Sequence, residues 1–171
     1  DKENILNINP PTHRLNLIKD NPPQIFVRSP EKEFLIEENN IIQNDIQLID
    51  DFGIDNLYIE YKIIRPEYLT PDTTLYKKYV NPINKTLKAQ EIQYSWDINN
   101  LLLSSGDQLK FYYVVTDNNI KTGPGITISG PYIGSVPALE DLFSNISQFE
   151  DDIIESTKEI SLTVEDVQEL V

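Results

Sequence analysis

Between residues 24 and 132 apolar and polar side chains alternate with a period of two, the pattern of strands with one buried face. The clearest run is Leu57, Ile59, Tyr61 and Ile63, with Tyr58, Glu60 and Lys62 on the other parity. Leu109, Phe111, Tyr113 and Val115 form a second clean face. The same pattern predicts strands over 24–29, 34–36, 41–49, 86–96 and 126–132, and in 86–96 it groups Ile92, Tyr94 and Trp96. Turn formers punctuate these runs: Pro30-Glu31-Lys32, Asp50-Asp51-Phe52-Gly53, Ser104-Ser105-Gly106-Asp107 and Asp117-Asn118-Asn119. Residues 97–103 read as a helical turn. Residues 65–82, rich in proline and tyrosine, read as a long irregular excursion.

Past residue 134 the period changes. Leu139, Ile146, Ile153, Ile160 and Val167 recur every seventh residue, and Leu142, Phe149 and Leu170 fill a second seam that Ser156 and Thr163 interrupt. An acidic amphipathic helix, or the start of a coiled coil, is expected over 135–171. Pro137 suits its first turn, and Glu140 and Asp141 suit the positive end of its dipole. Unbroken, it would project on the order of 50 Å. A capping-box-like Thr163-Val164-Glu165-Asp166 marks a place where it would break. Such a helix alone is marginal in water, so its apolar stripe needs cover.

Together these patterns predict a mainly β fold. Residues 23–134 would form an antiparallel immunoglobulin- or fibronectin-like sandwich, with a jelly roll or small barrel as the alternative. Residues 1–22 read as a leader in which 14–18 alternates like the last strand of a preceding domain, followed by the stiff linker Asp20-Asn21-Pro22-Pro23.

Charge narrows the partners. The 171 residues carry 14 Lys and Arg against 28 Asp and Glu, a net −14. Residues 137–171 hold ten of the acids and one base, Lys158, so that segment is −9 and the remainder −5. Phosphate backbones and anionic membrane surfaces would be repelled, so no nucleic acid is expected, and a membrane only through segments outside this chain. With no Cys, disulfides and thiolate metal sites are excluded. The single His, His13, lies in a polar stretch with no Gly-x-Ser-x-Gly elbow, so neither zinc nor a serine triad is expected. No apolar run is long enough to span a bilayer, and no signal peptide is visible. The chain contains no Met, so it is expected to be a processed product or a piece of something longer.

Several ordered motifs carry a resemblance. They are Asp50-Asp51-Phe52-Gly53-Ile54 with Leu57, Ile59 and Tyr61, then Trp96-Asp97-Ile98, then Leu103, Gly106-Asp107, Leu109, Phe111-Tyr112 and Asp117-Asn118. Gly123-Pro124 and Pro137-Ala138-Leu139-Glu140-Asp141-Leu142-Phe143 complete the series. Residues 14–154 thus resemble the immunoglobulin-like segment of large, uncharacterised bacterial proteins best represented in Bacteroidetes-type lineages. The resemblance implies a membrane anchor near the N-terminus of the whole protein, a coiled coil after the β segment and a cell-envelope location. It implies no activity. Residues 103–109 also look like the corner of fibronectin-type domains that carries a tyrosine; Leu109 takes that place here.

Three groups of residues are candidate sites. Asp50, Asp51 and Asp55 near one turn, and Asp117 and Asn118 near another, would share one end of a sandwich, where converging oxygens can hold calcium. Turn formation accounts for the same residues, so no cofactor is expected and calcium is the secondary reading. The adjacent Asp50 and Asp51 are poorly placed for paired-carboxylate catalysis, because neighbouring strand side chains point to opposite faces. Tyr58, Tyr68, Tyr76, Tyr79, Tyr112 and Tyr132 with Trp96 could stack sugars, or simply cover a sheet. The third group is the heptad seam, with Leu139, Leu142, Ile146, Phe149, Ile153, Ile160 and Val167 facing a protein partner or a second copy. The expected protein is a non-enzymatic spacer and assembly module of an extracytoplasmic bacterial protein. The alternative is an adhesin-type sandwich that binds a glycan or peptide through residues 65–82.

Overall fold

The computed structural model describes residues 12–16, 18–121, 123–139, 143, 150 and 153–158. The fold is mainly β, in two sheets. β1 (Gln24–Ser29), β3 (Ile41–Ile49) and β6 (Ala89–Asp97) form a three-stranded sheet in the order β1-β3-β6. β2 (Glu33–Leu35), β4 (Ile54–Ile64), β5 (Tyr76–Tyr79), β7 (Gln108–Asp117) and β8 (Ile126–Ser135) form the other, in the order β2-β8-β7-β4-β5. A 3-10 turn at Asn99–Leu101 links β6 to β7.

The alternation seen in sequence is what closes the core. Ile42, Ile46 and Leu48 of β3, Leu57, Ile59, Tyr61 and Ile63 of β4, Ile92 and Trp96 of β6, and Leu109, Phe111, Tyr113 and Val115 of β7 are all buried in one cluster. Phe111 sits at its centre. Its ring lies 5.5 Å from Trp96 on the opposite sheet, 5.5 Å from Tyr132, 5.6 Å from Tyr113 and 6.3 Å from Phe34. Three of these four contacts are edge-on, the arrangement the ring quadrupole favours, each worth about 0.5–1.5 kcal/mol beyond burial.

One polar group occupies this apolar layer. Asn44 shares the inward parity of Ile42 and Ile46 and is 3% exposed. Its Nδ2 donates to the carbonyls of Ile42 at 2.7 Å and Tyr94 at 2.8 Å. The Tyr113 hydroxyl, from the other sheet, donates to Asn44 Oδ1. Every polar atom of the pair therefore has a partner, which is the condition for burying it at all.

Several expectations change. Most pairings are antiparallel, but β2 runs parallel to β8, with Glu33, Phe34 and Leu35 opposite Ile133, Gly134 and Ser135. Pro30 has no N–H to continue the β1 ladder, so the chain steps to the other sheet without reversing direction. The excursion at 65–82 contains an edge strand, β5, whose Tyr76 stacks on Tyr61 at 5.1 Å and whose Tyr79 lies 5.5 Å from Tyr58. Four residues are too few to show a period, and its two lysines suit an exposed edge. The last strand runs three residues past Tyr132, to Ser135, so the helix does not begin there. Pro131 is accommodated in that strand at a register shift opposite Tyr112. The described residues of 14–18 form no strand, and Leu15 and Ile18 are exposed. Residues 20–23, expected as a stiff linker, are fastened to the body: Thr127 Oγ1 donates to the Pro23 carbonyl at 2.5 Å and Pro23 is buried.

The ends of the body are now defined. The chain comes in beside the start of β8 through Pro23. It leaves at the opposite end, where the Val136 N–H donates to Asp107 O at 2.9 Å, the Gly106 N–H to Val136 O at 3.1 Å and Ser105 Oγ to Pro137 O at 2.8 Å.

Tyr113→Phe leaves Asn44 Oδ1 buried without its donor and is expected to cost about 1–3 kcal/mol, read as a lower denaturant midpoint at unchanged slope. The same residue sets an alkaline response. Burial, and secondly the neighbouring Tyr132, push the Tyr113 hydroxyl well above its ordinary 10.0. The folded state keeps a proton that the unfolded chain releases, so this contribution is complete below pH 10.0 and declines as the pH rises beyond it. Denaturation midpoints measured from pH 8 to 11.5 should fall above about 10 in the native chain and fall less steeply in Tyr113→Phe.

Candidate functional site

Two regions, at opposite ends of the body, hold most of the residues singled out from sequence. The first is acidic. Asp50 follows β3, and its Oδ2 accepts from the N–H groups of Phe52 at 2.8 Å and Gly53 at 2.6 Å, a local turn of the kind Asp favours. The Asn118 N–H donates to Gly53 O at 3.1 Å, and Asn118 Nδ2 to Phe52 O at 3.1 Å. The loop after β7 is thereby fastened to the turn after β3, as the sandwich reading required. Asp117, 3% exposed, accepts through Oδ1 from the N–H groups of Asn119 at 3.0 Å and Gly125 at 2.9 Å.

The structure sorts the five oxygen-bearing candidates. Asp50, Asp51 and Asp117 stay together at this end. Asp55 is turned aside: its carboxylate takes Lys85 Nζ at 2.6 Å and Asn56 Nδ2 at 2.5 Å. Asn118 lends its amide to the loop rather than an oxygen to the cluster. Sequence reading missed Asp20. It lies in the segment taken for a linker, and its carboxyl meets that of Asp51. Burial first, then the charges of Asp117 and Asp51, raise the Asp20 carboxyl above its ordinary range. Asp51 moves the other way, chiefly because Asn21 Nδ2 donates to its Oδ2 at 2.9 Å. The one available signal was Asp20-Asn21 before two prolines, a side-chain pair held stiffly in an extended segment.

The aromatic candidates do not form one surface. Trp96 and Tyr132 are core, and Tyr58, Tyr76 and Tyr112 are half-buried against neighbours. Tyr68, 76% exposed, and Tyr79 are the two that face solvent, and Lys77 Nζ caps the Tyr58 ring at 3.9 Å. His13 is exposed.

The second region is the exit. Of the seam residues, Leu139 and Ile153 are described; Leu142, Ile146, Phe149, Ile160 and Val167 lie outside the described residues. Residues 153–158 are helical, as are Leu139, Phe143 and Glu150, and Thr157 Oγ1 donates back to Ile153 O at 2.7 Å. Leu139 is 60% exposed and Ile153 65%; Phe143 and Ile154 are exposed too. The apolar side chains described here are therefore not covered by the two sheets. Phe143 and Ile154, which fall beside the two seams rather than on them, were not anticipated. Among the described residues no helix is long and apolar enough to cross a membrane.

Gly53 is the position on which the acidic end turns. Its φ is +122°, and a Cβ there would lie 2.5 Å from the Lys85 carbonyl oxygen. Gly53→Ala is expected to lower stability by about 2–4 kcal/mol in thermal or denaturant unfolding, because backbone rather than a movable side chain blocks the new carbon. Comparisons with protein-family models and with curated protein sequences return no match to this chain.

Proposed function

We propose that this chain is a non-enzymatic spacer and assembly module of a larger extracytoplasmic bacterial protein, with an immunoglobulin-like body and a helical continuation that associates with a second copy of itself. The observation that carries the reading is the linear path of the chain. It comes in at one end of the body, beside Gly125 and Thr127, and is held by backbone bonds at the other, between Val136 and Asp107. About 30 Å of β8 lies between. Modules that transmit position along an elongated protein need separated attachment points, and a rigid hand-over makes the direction of the next segment definite.

Two further features support the reading. The strand order β1-β3-β6 against β8-β7-β4-β5 corresponds to the A-B-E and G-F-C-C′ sheets of immunoglobulin-like domains, with β2 as the strand that crosses between them. It departs from antibody domains in carrying its buried tryptophan on β6 rather than on β4, and in having no disulfide. Leu139 follows the exit bonds by two residues, and Leu139, Phe143, Ile153 and Ile154 are exposed at helical positions, where uncovered apolar side chains are costly unless a partner shields them. The adhesin alternative draws less support, since its aromatic side chains are spread between core, edge and solvent.

Sedimentation of the full chain over a concentration series tests this. The native chain should associate as concentration rises, and Ile153→Asp combined with Ile160→Asp should return it to a monomer while leaving the thermal unfolding of the body unchanged. A native chain that stays monomeric at high concentration, or a double variant that associates equally well, sinks the assembly role.

A further inference from the structure

The outer faces of the two sheets are unlike. On the three-stranded sheet polar groups satisfy one another: Arg28 pairs with Asp45 at 3.3 Å and with Glu91 at 2.8 Å, and Ser95 Oγ donates to Gln43 Oε1 at 2.7 Å. The outward side of an antiparallel sheet is ordinarily polar in this way. On the five-stranded sheet it is not. Tyr79, Tyr58, Val114 and Ile128 are register partners on four successive strands and form one apolar row across the outside. Val114 is 2% exposed although it lies on the outward parity, and Ile128 beside it is 62% exposed. Leu35, Ile64 and Ile126 are exposed on the same side.

The charge of this face is also out of keeping with the chain. Over the rows from Tyr58 to Ile64 its outward charged groups are Lys62, Lys77 and Lys110 against Glu33 and Glu60, in a chain that is −14 overall. Lys77 is engaged, with its Nζ 3.4 Å from Glu60 and 3.9 Å from the centre of the Tyr58 ring. Lys62 and Lys110 are different. They stand directly opposite each other on β4 and β7, where like charges repel. Among the described residues neither forms an ion pair. An apolar row beside two unanswered ammonium groups suits a partner that is apolar and acidic at once.

Residues 137–171 have that chemistry. They carry ten acids and one base, and Leu139, Phe143, Ile153 and Ile154 are exposed at helical positions among them. We propose that the outer face of the five-stranded sheet seats the acidic helical segment 137–171 of a second copy, with its carboxylates on Lys62 and Lys110 and its apolar side chains on the Tyr58–Val114–Ile128 row. The inference rests on the self-association proposed above and gives it a surface. β7 is about 33 Å long, the length of about 22 helical residues, so the segment is long enough to cross it from end to end. The occupant is a second copy because β8 carries the chain away from this face toward the exit, where Val136 and Pro137 are held by Asp107 and Ser105. The described apolar side chains beyond the exit are uncovered within one chain. The exchange is reciprocal, so the pair closes on itself and buries two such contacts.

Sedimentation of the full chain and cross-linking of mixed copies test this. Lys62→Glu gives Lys110 an opposite charge within its own sheet, so the body should melt at the same temperature or higher. The same change should weaken association about tenfold or more, and about 0.5 M salt should weaken native association too. Ile128→Asp should also weaken it, and carries the test should Lys62→Glu fail to fold. In an equal mixture of heavy-nitrogen-labelled and unlabelled chains, a carbodiimide joins amines to carboxylates in contact with them. It should link Lys62 or Lys110 to acids of residues 137–171 in peptides of mixed isotope. If the native chain associates and both variants associate equally well, or if no such link is of mixed isotope, the inference is overturned while self-association stands. A native chain that remains monomeric at high concentration sinks both.

Discussion

Asn44 and Tyr113 face each other across the core, one from each sheet, and their bond limits how the sheets can sit. Apolar packing alone tolerates sliding, because one greasy contact can replace another at similar energy. A buried amide cannot slide: Asn44 must keep two carbonyls of its own sheet and one hydroxyl of the other. A shift of one residue along β7 would replace Tyr113 by Tyr112 or Val114, both of which point to the outer face. The ring cluster around Phe111 supplies most of the favourable energy, and the Asn44–Tyr113 pair fixes the register in which that energy is realised.

The long strands were legible because each buries one face and exposes the other. β3 at 41–49 and the inward set of β4 and β7 follow directly from parity. Asn44 was not legible, since a polar residue on an inward parity reads as a break until its partners are known. β5 was hidden for a different reason: Tyr76–Tyr79 is too short to carry a period, and its pairing with β4 is a long-range fact. The parallel β2–β8 contact likewise depends on where the chain goes after Pro30. Of the acidic site, the turn residues were readable and Asp20 was not, because it comes from a segment whose docking depends on Gly125 and Thr127 more than a hundred residues away.

The two ends of the body are built differently. At the exit, backbone groups of Gly106, Asp107 and Val136 bond to one another, and a neutral hydroxyl, Ser105 Oγ, adds a bond to Pro137 O. At the other end, side-chain carboxylates do much of the joining, through the Asn21–Asp51, Asp50–Gly53 and Asp117–Gly125 contacts. Backbone joints are indifferent to ions and to moderate pH. Carboxylate joints respond to both, so on physical grounds the end that receives the chain is the adjustable one.

On the spacer reading, the parallel pairing of β2 with β8 has a mechanical meaning. β2 follows the N-terminal attachment and β8 precedes the C-terminal one. Tension applied between the two ends draws β2 one way along its axis and β8 the other. Because the strands are parallel, their bonds are loaded sideways and together, as with Ile133 N–H to Lys32 O at 2.7 Å and Ile36 N–H to Ser135 O at 2.9 Å. An antiparallel hairpin at the same place would open one bond at a time from its end. A strand of three residues therefore resists separation more than its length suggests, and it does so because Pro30 moved it to the other sheet.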